Sequence, residues 1–368
     1  MHIMESAPGA RAIIDGKQID YFCGCGYFGF QGRRELIEAA CRATCQYGLG
    51  SATSRLGYGN NPALLEVEKN AARFFGTQEA LYYVSGYLGN SILLQGLSDD
   101  YDIIFIDRES HYSVFDGAVL ANKPVVPFAH CDAEDLKIQI QKHLGPRQKP
   151  LVISDGVFAV SGRIAPIPDY IRVLEPYDPF IICVDDAHAT GVIGEKGHGC
   201  FEYHGLSDAR LFSSGTLSKA LGGYGGIIAA DIALKKKLTS GSKMIFASSA
   251  PPTPAAAAAA KALEILHDHP ELRKKLWENV AYAKSGLRAF GFSMEDTPVP
   301  IICLSSREVS LEKLPDELLL RGIAISRWYA GGKSYSGVPM DGAVRIAIFA
   351  THSKEQIDRL IDEIGALI

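Results

Sequence analysis

"FIICVDDAHATG", residues 180–191, starts with five apolar residues and turns abruptly into two carboxylates, a histidine and a set of small residues. Five apolar residues in a row suit a strand covered on both faces; a buried helix would need about twice that length. A carboxylate leaving such a strand is costly unless donors or a cation meet it. The bland reading of Asp185 is a helix cap or a solvated strand end, but His188 and the small residues beside it point to a site. The same pattern recurs in "ALYYVS" (80–85), "DIIFID" (102–107), "PLVISD" (150–155) and "YGGIIAAD" (224–231). Amphipathic segments such as "GNSILLQGL" and "IPDYIRVLEP" lie between them. This alternation predicts an α/β fold with a mostly parallel sheet covered by helices. Ligands in such sheets bind beyond the carboxyl ends of the strands, here marked by Ser85, Asp107, Asp155 and Asp185.

From about residue 255 the pattern changes. "PTPAAAAAAKALEILHDH" reads as a long helix, with proline in its first turn and alanines behind it. "VPIICLSS", "GIAISRWY", "AVRIAIFA" and a closing helix "SKEQIDRLIDEIGAL" then predict a smaller α+β unit. The expected organisation is an N-terminal segment (1–45) packed on the small unit, a large ligand-binding unit (46–250) and the C-terminal small unit (251–368), with the boundary near "SSAPPTP".

Composition removes several function classes. A net charge of -5 with no basic patch argues against nucleic acid as a partner. No apolar run reaches the roughly 18 residues of a membrane span, and the first residues carry no export signal, so cytoplasm is the expected location. The cysteine pairs Cys23/Cys25 and Cys41/Cys45 lack zinc-site spacing, and no metal is expected. Cys41 and Cys45 share one face of "ELIEAACRATCQYG", which predicts buried, reduced thiols on a helix. "GGKS" (331–334) lacks the spacing of a phosphate loop.

"FSSGTLSKALGGYGG", residues 212–226, holds Lys219 with no carboxylate within its neighbouring six residues on either side. A free lysine amine, with a pKa of about 10.4, is protonated at neutral pH. A partly desolvated one can act as a nucleophile and form a Schiff base with a carbonyl. Pyridoxal phosphate (PLP) is the best-known partner for that chemistry. It also needs an acid at its ring nitrogen and amides or hydroxyls at its phosphate. Asp185, Lys219 and the turn "VSGYLGN" offer all three.

"VDDAHATGVIGEKGHG" followed by "GTLSKALGGYGG" closely resembles the α-oxoamine synthase family of fold-type I PLP enzymes. "YGLGSATSRLGYGNNPALLEVEKNAARFFGTQEALYYVSGYLGN", "DRESHYSVFDGA", "SDGVFAVSGRIAPI", "FASSAPPTPAAAAAA" and "AVRIAIFATHSKEQIDRLI" extend the resemblance in family order over roughly residues 20 to 368. It implies a large domain with a mostly parallel, seven-stranded-type sheet between helices, plus a smaller α+β C-terminal domain. It also implies a homodimer with a shared active site, acting on an amino acid and an acyl thioester, usually with loss of CO2, to give an α-amino ketone. By motif position Lys219 would carry the PLP and move the substrate's α-proton, Asp185 would pair with the ring nitrogen, His188 would sit near the phenolic oxygen and His111 would stack on the ring. Ser85, Gly86, Tyr87 and Thr216 would hold the phosphate, and Ser248 would reach that of the neighbouring subunit. Arg345, seven residues before His352, would grip the amino acid's carboxylate.

Two departures fall near the substrate. Cys25 of "CGYFGF" stands where the family carries asparagine, and Ala159 of "VFAVSG" replaces a serine. Ser54, ahead of Arg55, resembles members that accept amino acids other than glycine. The departures leave open a different PLP reaction on the same fold, such as an aminotransferase, racemase or aldolase-type lyase. A non-catalytic homologue is a third alternative, opposed by the intact Lys219, Asp185 and His111.

Overall fold

The computed structural model describes residues 2–246, 248–305, 309–310, 313–328 and 342–368, so the "GGKS" segment lies outside it. The chain opens with β1 (Arg11–Ile14) and β2 (Lys17–Tyr21). The large sheet follows: β3 (Glu79–Tyr83), β4 (Ile103–Asp107), β5 (Val125–Phe128), β6 (Pro150–Asp155), β7 (Ile181–Asp185), β8 (Leu211–Thr216) and β9 (Gly226–Ala230). Its spatial order is β3-β9-β8-β7-β6-β4-β5. Only β9 runs against its neighbours, pairing antiparallel with both β3 and β8. The expected mostly parallel α/β sheet is therefore present, with seven strands. Edge strand β5, interrupted by Pro127, and the serine-rich β8 were not among the strands expected from apolar runs.

Strand alternation divides the core between the two sheet faces. Ile104, Ile106, Leu151, Ile153, Ile181 and Cys183 point to one layer of helices, which contributes Ile92, Leu93, Val114 and Leu238. Ile103, Phe105, Val152, Ile182 and Val184 point to the other, built from Leu136, Ile140, Ile167, Tyr170 and Leu174. Covered on both faces, these strands carry no room for polar side chains until they end.

A third cluster joins the remaining elements. The alanines of the helix Thr253–Asp268 pack closely against the helices Arg34–Tyr47 and Pro62–Phe75. Strands β10 (Ile301–Ser305), β11 (Ile323–Ala324), β12 (Ser326–Trp328) and β13 (Ala343–Ala347) complete the strands among the described residues. The order β10-β13-β12 forms one small antiparallel sheet, and β2 pairs in parallel with β11 beside β1. Residues before 25 thus share a sheet with residues beyond 320.

The cysteine reading needs correction. All eight cysteines are free, but Cys41 and Cys45 are exposed. The helix is there, yet it turns Leu36 and Ala43 inward. At about 100° per residue, Cys41 and Cys45 fall roughly 140° and 180° round from Leu36, on the outer face.

Candidate active site

The carboxyl ends of β6, β7 and β8 surround a cavity of about 220 Å³. Ser85, Gly86, Tyr87, His111, Asp155, Ala159, Asp185, His188, Thr216 and Lys219 all line it. Nine sequence-derived candidates from five separate stretches, Ala159 included, therefore meet at one place.

Asp185 closes β7, and strand alternation lifts its carboxylate toward the cavity. Its Oδ2 accepts from Asn90 Nδ2 at 2.7 Å and Ser113 Oγ at 3.4 Å, and its Oδ1 from the Ala187 N–H at 3.0 Å. These donors stabilise the anion. Asp186, one residue on, is buried beneath and accepts from the Cys200 N–H. Burial pushes the Asp186 carboxyl up to about 8. Asp155 ends β6 in register with Asp185 and accepts the His111 N–H at 3.0 Å. Burial, and then the Asp185 charge, raise the Asp155 carboxyl well above the ordinary range.

Lys219 sits in the connection between β8 and the reversed β9. The Leu217 N–H donates to the Gly225 carbonyl at 2.9 Å, and the Gly223 N–H to the Leu217 carbonyl at 2.9 Å, so the loop is closed across its base. Gly225, with φ 103°, packs its Cα against the Tyr83 carbonyl, where a side chain would collide. The Lys219 Nζ lies 2.9 Å from His188 Nε2. His188 is buried, and burial followed by the Lys219 and Arg345 charges holds its imidazole well below the usual basicity. His111 caps the helix Tyr112–Leu120 through the Ser113 N–H, and burial lowers its basicity too.

Ser85 caps the turn Gly86–Leu88, which leads into the helix Gly89–Gly96. Its backbone amides are therefore placed as an anion site at a helix start. Gly86 faces Thr216 so closely that a Cβ there would lie 2.7 Å from the Thr216 Cβ and Oγ1. Thr216 Oγ1 accepts from the Ser218 N–H at 3.2 Å.

Four candidates, Arg345, Cys25, Ser54 and Ser248, stand outside the lining of this cavity in a single chain. Arg345, on β13, is buried; its Nη1 donates to the Gly24 carbonyl at 3.0 Å, its Nη2 to Cys25 Sγ at 3.6 Å and Tyr27 Oη at 3.3 Å, while its Nε has no partner among the described residues. Tyr27 stands between Arg345 and His188. Ser54 and Ser248 do not reach the cavity. Ser54 bridges Ser249, and Ser248 lines a separate 230 Å³ pocket with Arg55 and Tyr82. Asn90, Ser113 and Tyr27 are site residues that sequence reading did not single out, although all three lie within quoted stretches. Elsewhere, Asp107, His130 and Cys131 hold their ligand atoms within 4.8 Å of one another. Asp107 already accepts from the Glu109 and Cys131 N–H groups and pairs with His130, an arrangement that secures the turn after β5.

The donor set fits PLP: a lysine amine and an anionic carboxylate face one cavity, and Gly86 leaves a side-chain-free surface beside a helix start. Comparison with known proteins agrees. Residues 26–364 match the family model "Aminotransferase class I and II". The 8-amino-7-oxononanoate synthase 1 of Bacillus subtilis is 34% identical over 364 residues, covering 98% of this chain and 91% of that protein. The serine palmitoyltransferase of Bacteroides ovatus is 35% identical over 362 residues, covering 98% and 90%. Among solved structures, the serine palmitoyltransferase of Sphingomonas wittichii superposes with a TM-score of 0.89 at 26% identity, covering 100% of this chain and 91% of that one. The chain belongs to the aminotransferase class I and II family, within its branch of α-oxoamine synthases, enzymes that condense an amino acid with an acyl thioester.

Proposed function

We propose that this protein is a PLP-dependent α-oxoamine synthase that joins an amino acid to an acyl thioester, releasing the thiol and CO2, and that its active form is a homodimer. The observation that carries this is the meeting of the Lys219 amine and the Asp185 carboxylate at one cavity, from loops 34 residues apart in sequence. When bound, PLP supplies an electron sink for charge developing at the substrate's α-carbon. Asp185 would pair with the ring nitrogen, Lys219 Nζ would take the substrate's α-proton, and His111 would cover the ring. Ser85, Gly86, Tyr87 and Thr216 receive the phosphate, and His188 serves the phenolic oxygen. Arg345 grips the substrate carboxylate, while Cys25 and Ser54 shape the amino acid's side of the site.

The dimer reading rests on exposed apolar residues near the two serines that this cavity leaves out. Leu49, Leu56, Tyr58 and Leu65 are 73%, 49%, 96% and 50% exposed. A patch of this kind fits a second copy, whose cavity Ser248 would reach. Residues 46–250 then form the cofactor unit, and 251–368 with 1–45 the second unit, supported by the β2–β11 pairing. No helix among the described residues is long and apolar enough to cross a membrane.

The test mixes purified protein with amino acids and acyl-CoAs and follows free thiol. Thiol release that depends on both substrates is the expected result. Transfer of the amino group to a keto acid without thiol release overturns the reading.

A further inference from the structure

The contact between Arg345 and the Lys219 side of the site passes through one side chain that no candidate set contained. Tyr27 is fully buried. Its hydroxyl receives Arg345 Nη2 at 3.3 Å and lies 2.9 Å from His188 Nδ1. The other ring nitrogen, His188 Nε2, is 2.9 Å from Lys219 Nζ. A guanidinium only donates, so the Tyr27 oxygen accepts there and its single proton must go elsewhere. A neutral imidazole has one N–H and one lone pair, and the partner of one nitrogen decides the role of the other.

We propose that Tyr27 is a positioning residue: it donates to His188 Nδ1 and thereby fixes the imidazole as the tautomer carrying its proton on Nε2, aimed at Lys219 and the cavity. The opposite arrangement puts two incoming donors, Arg345 and an Nδ1–H, on the phenol oxygen. The Tyr27 proton would then be left to the Cys25 sulfur, beside Arg345, and a thiol sulfur is a weak acceptor. The O–H to imidazole nitrogen bond is the stronger choice in a buried site, where a poorly made bond costs most. Burial raises the Tyr27 phenol well above its usual range, so it keeps the proton it has to give. Besides Tyr27, the groups facing His188 are Lys219, Arg345 and His111, all cationic when protonated, and they oppose a second proton on the ring.

The consequence lies on the cavity side. The chain Arg345–Tyr27–His188 thus delivers a fixed donor to the place where the amine and the cofactor's oxygen act. This deepens the proposed function and rests on it only for what the Nε2 proton serves; the tautomer itself is a property of the chain.

The experiment is long-range ¹H–¹⁵N correlation on ¹⁵N-histidine-labelled protein, as purified and again after saturation with PLP, with His188 identified by the signals lost in His188→Gln. The expected wild-type pattern is an unprotonated Nδ1 and a protonated Nε2. In Tyr27→Phe that fixed pattern is lost and both nitrogens move toward averaged positions. A protonated Nδ1 in the wild type, or an unchanged pattern in folded Tyr27→Phe, overturns the proposal. The wild-type spectrum decides even if the variant does not fold. Protein that shows the tautomer but binds no PLP refutes the proposed function and leaves this inference standing.

Discussion

Asp155 and Asp185 end adjacent parallel strands in register and open onto the same cavity, yet their carboxylates meet very different sets of donors. Asp185 has three donors from Asn90, Ser113 and Ala187, while Asp155 has the His111 N–H alone. Two like charges this close do not both ionise cheaply. The donors gather on Asp185, the carboxylate proposed to meet the ring nitrogen.

Removing the main donor tests this. In Asn90→Ala, Asp185 loses its 2.7 Å partner, an interaction to a charged acceptor of about 1.5–3 kcal/mol. Urea unfolding should register a loss of that order, and PLP retention should fall with it. An unchanged urea midpoint contradicts the assignment.

Lys219→Ala should leave a folded protein from which denaturation frees all cofactor. Borohydride reduction followed by peptide mass analysis should show the added mass on Lys219 in the wild type and nowhere in the variant. Turnover should drop on the order of 10²–10⁴-fold, the usual weight of a positioned proton-transfer group. A modified lysine elsewhere would reassign the nucleophile.

Gly86→Ala places a methyl 2.7 Å from the Thr216 side chain, on the proposed phosphate cradle. Equilibrium dialysis should show PLP held at least about tenfold more weakly, equivalent to ~1.4 kcal/mol. Circular dichroism should remain that of the wild type. Equal affinity in the two proteins would move the phosphate away from this turn.

Asp186 predicts a pH dependence of stability. Its carboxyl is raised from 3.8 to about 8, first by burial, so the folded state holds a proton that the unfolded state has released. Unfolded chains bind fewer protons throughout that window, and stability falls as pH rises across it. Asp186→Asn should remove this slope. Urea midpoints of variant and wild type should therefore separate in the variant's favour between mildly acidic and mildly alkaline pH; a constant difference rules the assignment out.

Tyr58→Asp tests the dimer face. A charge on a residue that is 96% exposed is harmless to a monomer and disruptive to an apolar contact. Sedimentation should show a dimer for the wild type and monomers for the variant. A monomeric wild type would remove the shared site.

Strands β4, β6 and β7 were legible in the sequence because burial on both faces leaves an unbroken apolar signal. Strand β8 was not: "LFSSGT" spends its serines on the site, with Ser214 Oγ donating to Asn90 Oδ1 at 3.2 Å. Candidates inside strong local motifs, such as Asp185 and Lys219, meet at one cavity, and residues whose contacts depend on a distant partner were missed. Asn90 meets Asp185 across 95 residues and Tyr27 meets His188 across 161, separations that no local pattern reports. Cys41 and Cys45 were misread for the same reason: periodicity shows that they share a helix face, but only tertiary packing decides which face is covered. Ser248 lines a separate pocket and Ser54 bridges its neighbour Ser249, and their proposed roles depend on a second copy of the chain.

The bond from Arg345 to the Gly24 carbonyl spans 321 residues. At roughly 5–20 residues per second on the ribosome, Gly24 and Tyr27 are made about 16–64 s before the arginine that seats them. Until then the Tyr27 ring has no guanidinium beside it. A nascent chain therefore completes the segments that carry Asp185 and Lys219 well before the arginine that seats Tyr27 is made, so the order of synthesis leaves the Tyr27 end of the site to be fixed last.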